Sequence, residues 1–209
     1  MNKYIGIAGT NSPRSTNKKL MEYIQSHFAG QAEIELMSIA DLPVFYKVPG
    51  RVLPPPPRVE EMDKLVDEAD GVIIATPEYD HSVPAVLMNA LEWMSYGGTH
   101  PFVGKPVMIV GASYGTLGAS RAQAHLRQIL DSPEMQARIM PSSEFLVDHS
   151  LQAFDEAGNL TDSEKVERLE QLFTDFETFV EISKHLNASL ADNKQLAANY
   201  TWEDEEGAK

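Results

Sequence analysis

The sequence predicts one α/β domain: a doubly wound parallel sheet of five strands in the order 2-1-3-4-5, with helices on both faces to give three layers. Three observations predict it. The runs Val72-Ile73-Ile74-Ala75 and Val107-Met108-Ile109-Val110 are uninterrupted and apolar, as strands buried on both faces must be. Such runs alternate with helical apolar patterns along the chain. In 209 residues there is no internal repeat and no second domain.

The elements follow in order. Tyr4-Ile5-Gly6-Ile7-Ala8 reads as the first strand, and Leu20, Ile24 and Phe28 mark one side of the first helix. Glu33 to Met37 alternates as a half-exposed strand. Pro43, Pro49 and the run Pro54 to Pro57 then require a long loop. Val59, Met62, Leu65, Val66 and Ala69 mark a second helix, closed by Asp70-Gly71 before the third strand at Val72. Val86, Leu87, Ala90, Leu91 and Met94 form the third helix. Val107 to Val110 is the fourth strand, and Ala122, Leu126, Ile129 and Leu130 mark the fourth helix. The segment from Ile139 to Val147 supplies the fifth strand. Leu151 to Leu160 reads as a small hairpin turning at Asp155 to Asn159. Thr161-Asp162-Ser163-Glu164 has the form of a capping box and opens a helix with an apolar stripe from Val166 to Leu186. The folded domain is expected over 1–189 and an acidic, solvated tail over 190–209.

Composition excludes several classes of function. A formal net charge of −14 opposes sequence-independent nucleic-acid binding and adhesion to anionic lipid. With no cysteine there is no disulfide, thiolate chemistry or cysteine-held metal, so any electron transfer needs a borrowed cofactor. Six histidines are scattered without ligand spacing, and no metal site is expected. There is no signal peptide pattern and no run near the roughly 20 apolar residues of a membrane span. A cytoplasmic protein is the expectation.

In a doubly wound sheet the ligand sits over the carboxyl ends of the strands, so the loops after strands 1, 3 and 4 carry the chemistry. The first, Gly9 to Asn17, is dense in hydroxyls and amides and runs into a helix N-terminus, where free N–H groups and the helix dipole attract anions. It lacks the Gly-Lys-Ser/Thr ending of a P-loop and the G-x-G-x-x-G of a dinucleotide site. A terminal monophosphate, such as that of FMN, suits it, with Arg14 as the nearby cation. The same residues would also make a cap-rich turn that holds nothing. The second loop, Thr76 to Pro84, is stiffened by Pro77 and Pro84, with Ser82 as a helix cap and Tyr79 able to line a flat heterocycle. A plain connector would read the same way. The third, Gly111 to Ala119, has three glycines that let backbone approach a ligand.

Together, Gly9 to Asn17, Pro77 to Pro84 with Asn89-Ala90-Leu91-Glu92-Trp93, and Gly111 to Leu130 resemble the NADPH-dependent FMN reductase family, over about residues 3–147. The resemblance implies a flavodoxin-like fold, bound FMN, NADPH or NADH as donor, and a small acceptor such as a flavin, quinone or azo compound. It also implies a homodimer or a dimer of dimers. Thr10, Ser12, Ser15, Thr16 and Asn17 would bind the FMN phosphate. Pro77, Glu78, Tyr79 and Asp80 would hold the ring, with Ser82 in the same loop, and Ser113, Tyr114 and Gly115 would close its far edge. The chain departs from many members at Thr10, Ser12, Asp80 and Met88. No residue is assigned an acid–base role: hydride passes from NAD(P)H to FMN, and the acceptor then uses the same face, in ping-pong fashion. His81 reads as a polar lining residue. Arg14, Arg51, Arg58 and Arg121 are the candidate local cations, and Arg14→Ala is expected to weaken FMN retention.

Two rival readings come from other classes. A flavodoxin-type electron carrier or FMN-binding regulator would share the fold but not consume NADPH. Gly111-Ala112-Ser113-Tyr114-Gly115 matches the G-x-S-x-G of a serine esterase, with Asp148 and His149 or His185 as partners of Ser113.

Overall fold

The computed structural model describes residues 1–48, 53–96, 99–186 and 189–200. Its centre is a parallel sheet of β1 (Lys3–Ala8), β2 (Glu33–Met37), β3 (Gly71–Ala75) and β4 (Pro106–Ala112), continued by β5 (Arg138–Ile139) and β6 (Leu146–Val147), in the order β2-β1-β3-β4-β5 with β6 also on β4. Tyr4 stands against Ile34 on one side and Gly71 on the other, and Val72 pairs with Val107.

Strand periodicity sorts the side chains into two cores. Ile5, Ile7, Val72, Ile74, Val107 and Ile109 face α2 (Pro57–Glu68), α3 (Ala85–Tyr96) and α4 (Ser120–Leu130). Tyr4, Ile73, Met108 and Val110 point the other way, onto α1 (Thr16–His27) and α5 (Ser163–Lys184). Side chains at successive positions take opposite faces, so the uninterrupted apolar runs fill both cores at once. Phe28 stacks on Phe173 at 3.8 Å between centroids, locking α1 to α5. The stripe of α5 is therefore core from Leu169 to Val180, while Leu186, past the helix end, is exposed.

Three details differ from the sequence expectation. The fifth strand is split: Arg138 and Ile139 pair with Pro106 and Val107, Leu146 and Val147 pair with Gly111 and Ala112, and the residues between loop out. Pro141 has no N–H to give the ladder, and Ser142 is left-handed at φ 54°. Side chains of α4 brace the loop: Arg127 donates to the Met140 carbonyl at 3.1 Å, and Gln123 donates at 2.9 Å to the Phe145 carbonyl, which also accepts the Gly111 N–H. The cap of α5 is Asp162, whose carboxylate accepts the N–H groups of Glu164 and Lys165, so the expected Thr161 box is displaced by one residue. Residues 190–200, expected in the tail, form α6 (Leu190–Tyr200). Its Ala197 is buried, and Lys194 pairs with Asp67 at 2.7 Å. The acidic run from Glu203 to Glu206 lies outside the described residues. The hairpin expectation at Leu151 to Leu160 corresponds to an antiparallel bridge between Phe154 and Leu160. No described helix is long and apolar enough to cross a membrane.

Candidate active site

The loops after β1, β3 and β4 converge on a cleft of about 450 Å3, within the usual range for a small-molecule site. Ser12, Ser15, Thr16 and Asn17 form one wall, and Pro77, Glu78 and Tyr79 a second. Ala112 to Leu117, with Arg121, complete it.

The first wall is the start of α1. Ser15 is the N-cap, its hydroxyl oxygen accepting the N–H of Asn17 at 3.2 Å. The N–H groups of Arg14 and Thr16 have no hydrogen-bond partner among the described residues, and neither does the Ser12 hydroxyl. Free donors at the positive end of a helix make an anion cradle. Other members of the predicted phosphate set have different duties. Thr10 is buried away from the cleft, and its hydroxyl oxygen accepts the Ser12 N–H at 3.1 Å, which shapes the loop. The amide of Asn17 makes a pair of hydrogen bonds to backbone: its Nδ2 donates to the Ala112 carbonyl at 2.8 Å and its Oδ1 accepts the Ala112 N–H at 2.9 Å. The Thr16 and Ser150 hydroxyls are 2.8 Å apart. Arg14 is exposed and does not line the cleft.

On the second wall, Tyr79 and Ser82 exchange both backbone hydrogen bonds, at 3.2 and 2.9 Å, around a tight turn. Asp80 and His81 occupy its centre at φ 50° and 62°, the left-handed pair that a primed turn requires. Neither Asp80, expected at the ring, nor His81, expected as a polar lining residue, is among the residues that line the cleft. Ser82 is no cap: its hydroxyl meets Nδ1 of His125 at 3.0 Å. Glu78, with a side chain 10% exposed, reaches across to α4. Its Oε2 accepts the N–H groups of Arg121 and Ala122 at 3.1 and 3.4 Å, and its Oε1 lies 3.4 Å from the Arg121 guanidinium, which also meets His81 Nδ1. The N-cap residue of α4 is Ala119, left-handed and without a side-chain cap. Glu78 supplies that cap from another loop. Sequence reasoning missed this, although a helix beginning at Gly118-Ala119 with no capping side chain was a signal that its donors had to be met from elsewhere.

On the third wall, Val147 and Ser150 hold the chain in place: Ser113 donates its N–H to the Val147 carbonyl and accepts the Ser150 N–H, both at 3.0 Å. His149 donates its N–H to the Gly115 carbonyl at 3.0 Å. Tyr114 and Tyr79 remain 62% and 53% exposed at the mouth. Of the three glycines, only Gly115 borders the cleft. A Cβ at Gly111 would meet the Thr76 carbonyl at 2.8 Å, and Gly118, at φ 56°, lies against the Leu146 backbone.

The esterase arrangement is not assembled. The Ser113 hydroxyl donates to the Gly115 carbonyl at 3.5 Å, and no histidine among the described residues bonds to it. His185 is the C-cap of α5, a helix on one face of the sheet. Among the described residues no group of acidic and histidine side chains could hold a metal. Of the expected cations, Arg58 is bound to Glu61 and the Ser38 carbonyl, and Arg51 lies outside the described residues. Arg121 is the arginine of the cleft wall. Asn89 and Trp93 hold the proline-rich loop: Asn89 Oδ1 accepts the Phe45 N–H at 2.7 Å, and Trp93 Nε1 donates to the Pro43 carbonyl at 2.8 Å.

Comparison with known proteins agrees with this geometry. The model of the NADPH-dependent FMN reductases matches residues 2–152. The chain is 50% identical over 204 residues to the NADH:(hydroxy)cinnamate reductase subunit CrdA of Vibrio ruber, covering 97% of this chain and 98% of the relative. It is 42% identical over 183 residues to the NADH-dependent flavin reductase subunit 2 of Lactobacillus johnsonii, covering 86% and 97%. Among solved structures, the flavoenzyme NAD(P)H:(acceptor) oxidoreductase FerB of Paracoccus denitrificans superposes with a TM-score of 0.70 at 27% identity, covering 88% of this chain and 98% of that one. A cleft with an anion cradle on one wall and proline- and glycine-bearing loops on the other two fits a phosphorylated flavin. The chain belongs to the NADPH-dependent FMN reductase family and is an FMN-using, NAD(P)H-dependent oxidoreductase of flavodoxin-like fold.

Proposed function

We propose that this chain holds FMN over the carboxyl ends of β1, β3 and β4, and that a nicotinamide donor and a small acceptor use the same opening in turn. Bound FMN supplies the redox chemistry, as a carrier of hydride and electrons. The observation that carries the reading is the convergence of three loops from separate strands on one cleft whose first wall offers unpartnered N–H and O–H donors.

The residues divide the work. Ser12, Ser15 and the backbone of Arg14 and Thr16 hold the phosphate. Pro77 and Tyr79 on one side, and Ser113 to Gly115 on the other, bracket the ring and limit water. Tyr79 and Tyr114 give the mouth two exposed aromatic faces, which suits flat nicotinamides and flat acceptors alike. No side chain is required to move a proton. Arg121, held by Glu78, offers the donor's phosphates a local cation on a chain whose overall charge repels them. Relatives named as a flavin reductase and as quinone reductases support a small, flat acceptor. We further propose an assembled form, a homodimer in the first instance. Two relatives are named as subunits, which supports assembly. Light scattering of the FMN-loaded protein tests it, and a monomer counts against it.

Steady-state kinetics test the shared opening. Varying NADH at several fixed quinone concentrations should give parallel double-reciprocal lines. Intersecting lines would mean that donor and acceptor are bound together.

A further inference from the structure

We propose that Ser150, which does not line the cleft, is a positioning residue. It fixes the distance between the anion cradle at the start of α1 and the loop after β4, so that phosphate and ring are read as parts of one ligand. The proposal rests on the FMN reading above.

The geometry is a closed ring of short, buried contacts. The Thr16 hydroxyl meets that of Ser150 at 2.8 Å, across 134 positions of sequence. The Ser150 N–H donates to the Ser113 carbonyl at 3.0 Å. Ser113 is bonded covalently to Ala112, whose backbone is held at both polar atoms by the Asn17 amide, and Asn17 follows Thr16. Ser150 is 1% exposed, so its hydroxyl is shielded from bulk solvent. Cradle and loop are thereby joined twice: once by Asn17, once through Ser150.

Either hydroxyl can be the donor of the Thr16–Ser150 contact. A hydroxyl donates once and can accept as well. When Ser150 donates to Thr16, the Thr16 proton stays free for an anion in the cradle. Alanine at 150 removes this polarisation and the longer of the two ties. It keeps the backbone bonds that hold Ser113 and Gly115, so the ring side of the cleft should persist.

The test compares FMN with riboflavin, which has the same ring and no phosphate. Their dissociation constants are measured by flavin fluorescence on the cofactor-free protein, with thermal melting recorded alongside. In Ser150→Ala the preference for FMN over riboflavin should fall about tenfold, while riboflavin affinity changes less than about twofold. Ser150→Thr should restore the preference. Ser150→Cys, close in size but a weak hydrogen-bonding group, should lose it like alanine and covers the case in which the alanine variant does not fold. An unchanged preference in the alanine or cysteine variant overturns the proposal, as does a parallel loss of both affinities, which would make Ser150 simple packing. A wild-type protein that binds neither flavin overturns the FMN reading and this proposal with it. Tight FMN binding by the wild type with an unchanged preference in the variants overturns the positioning role alone.

Discussion

Asn17 shows what a single side chain contributes here. Its amide satisfies one buried N–H and one buried C=O of Ala112, and both would lose their partner in Asn17→Ala. Leaving buried backbone groups unmet costs roughly 1–3 kcal/mol each. The variant should therefore lose about 2 kcal/mol or more of unfolding free energy in urea even without cofactor. A loss under about 0.5 kcal/mol would show that water replaces the amide. From the sequence, Asn17 and Thr16 read as phosphate ligands, and the bonds that their side chains make within the protein were out of sight. Their partners, Ala112 and Ser150, lie far away in the chain and become neighbours only in the fold. The same holds for Glu78, whose carboxylate caps a helix that begins more than forty positions later. The placement of Ser12 and Ser15 at the start of α1 was legible, because it depends on local sequence alone.

At the scale of the elements, α2 carries a buried acid that the site does not use. Asp63 is 1% exposed, its Oδ2 accepts the Thr99 hydroxyl at 2.7 Å, and its Oδ1 has no partner. Burial pushes its pKa up from 3.8 to about 7, with the charges of Asp67 and Glu60 adding and the Thr99 bond and Lys194 opposing. The folded chain thus keeps a proton that the unfolded chain has released. Stability must fall as pH rises from about 4 to about 7 and level off above it, by on the order of 4 kcal/mol from this group. Asp63→Asn removes that slope. Urea unfolding at pH 5, 6, 7 and 8 checks it: the wild type should weaken across the series more than the variant, and equal slopes would mean that Asp63 ionises normally. Elements whose signal was local were legible. The central strands announced themselves by continuous apolar runs, and α5 by its stripe. The split of β5 from β6 and the existence of α6 were not, because Pro141 alone cannot say where pairing resumes, and α6 docks by the buried Ala197 and the Lys194–Asp67 pair, contacts that its own sequence does not announce.

For the whole molecule, strand order followed from the alternation of strands and helices and the right-handed crossover, and it fixed which loops could meet. That step made the three-walled cleft readable before any side chain was placed. The division of labour inside it depended on contacts between loops. A net charge of −14 leaves FMN, an anion, to be held by local donors against the global field. Salt should consequently weaken phosphate recognition less than it would in a basic pocket.

The most direct measurement is equilibrium titration of the cofactor-free protein with FMN and, in parallel, with riboflavin. The account predicts saturable binding at one FMN per chain, with riboflavin bound markedly more weakly because it cannot fill the cradle at Arg14 to Thr16. No saturable flavin binding, or equal affinity for the two flavins, would contradict it.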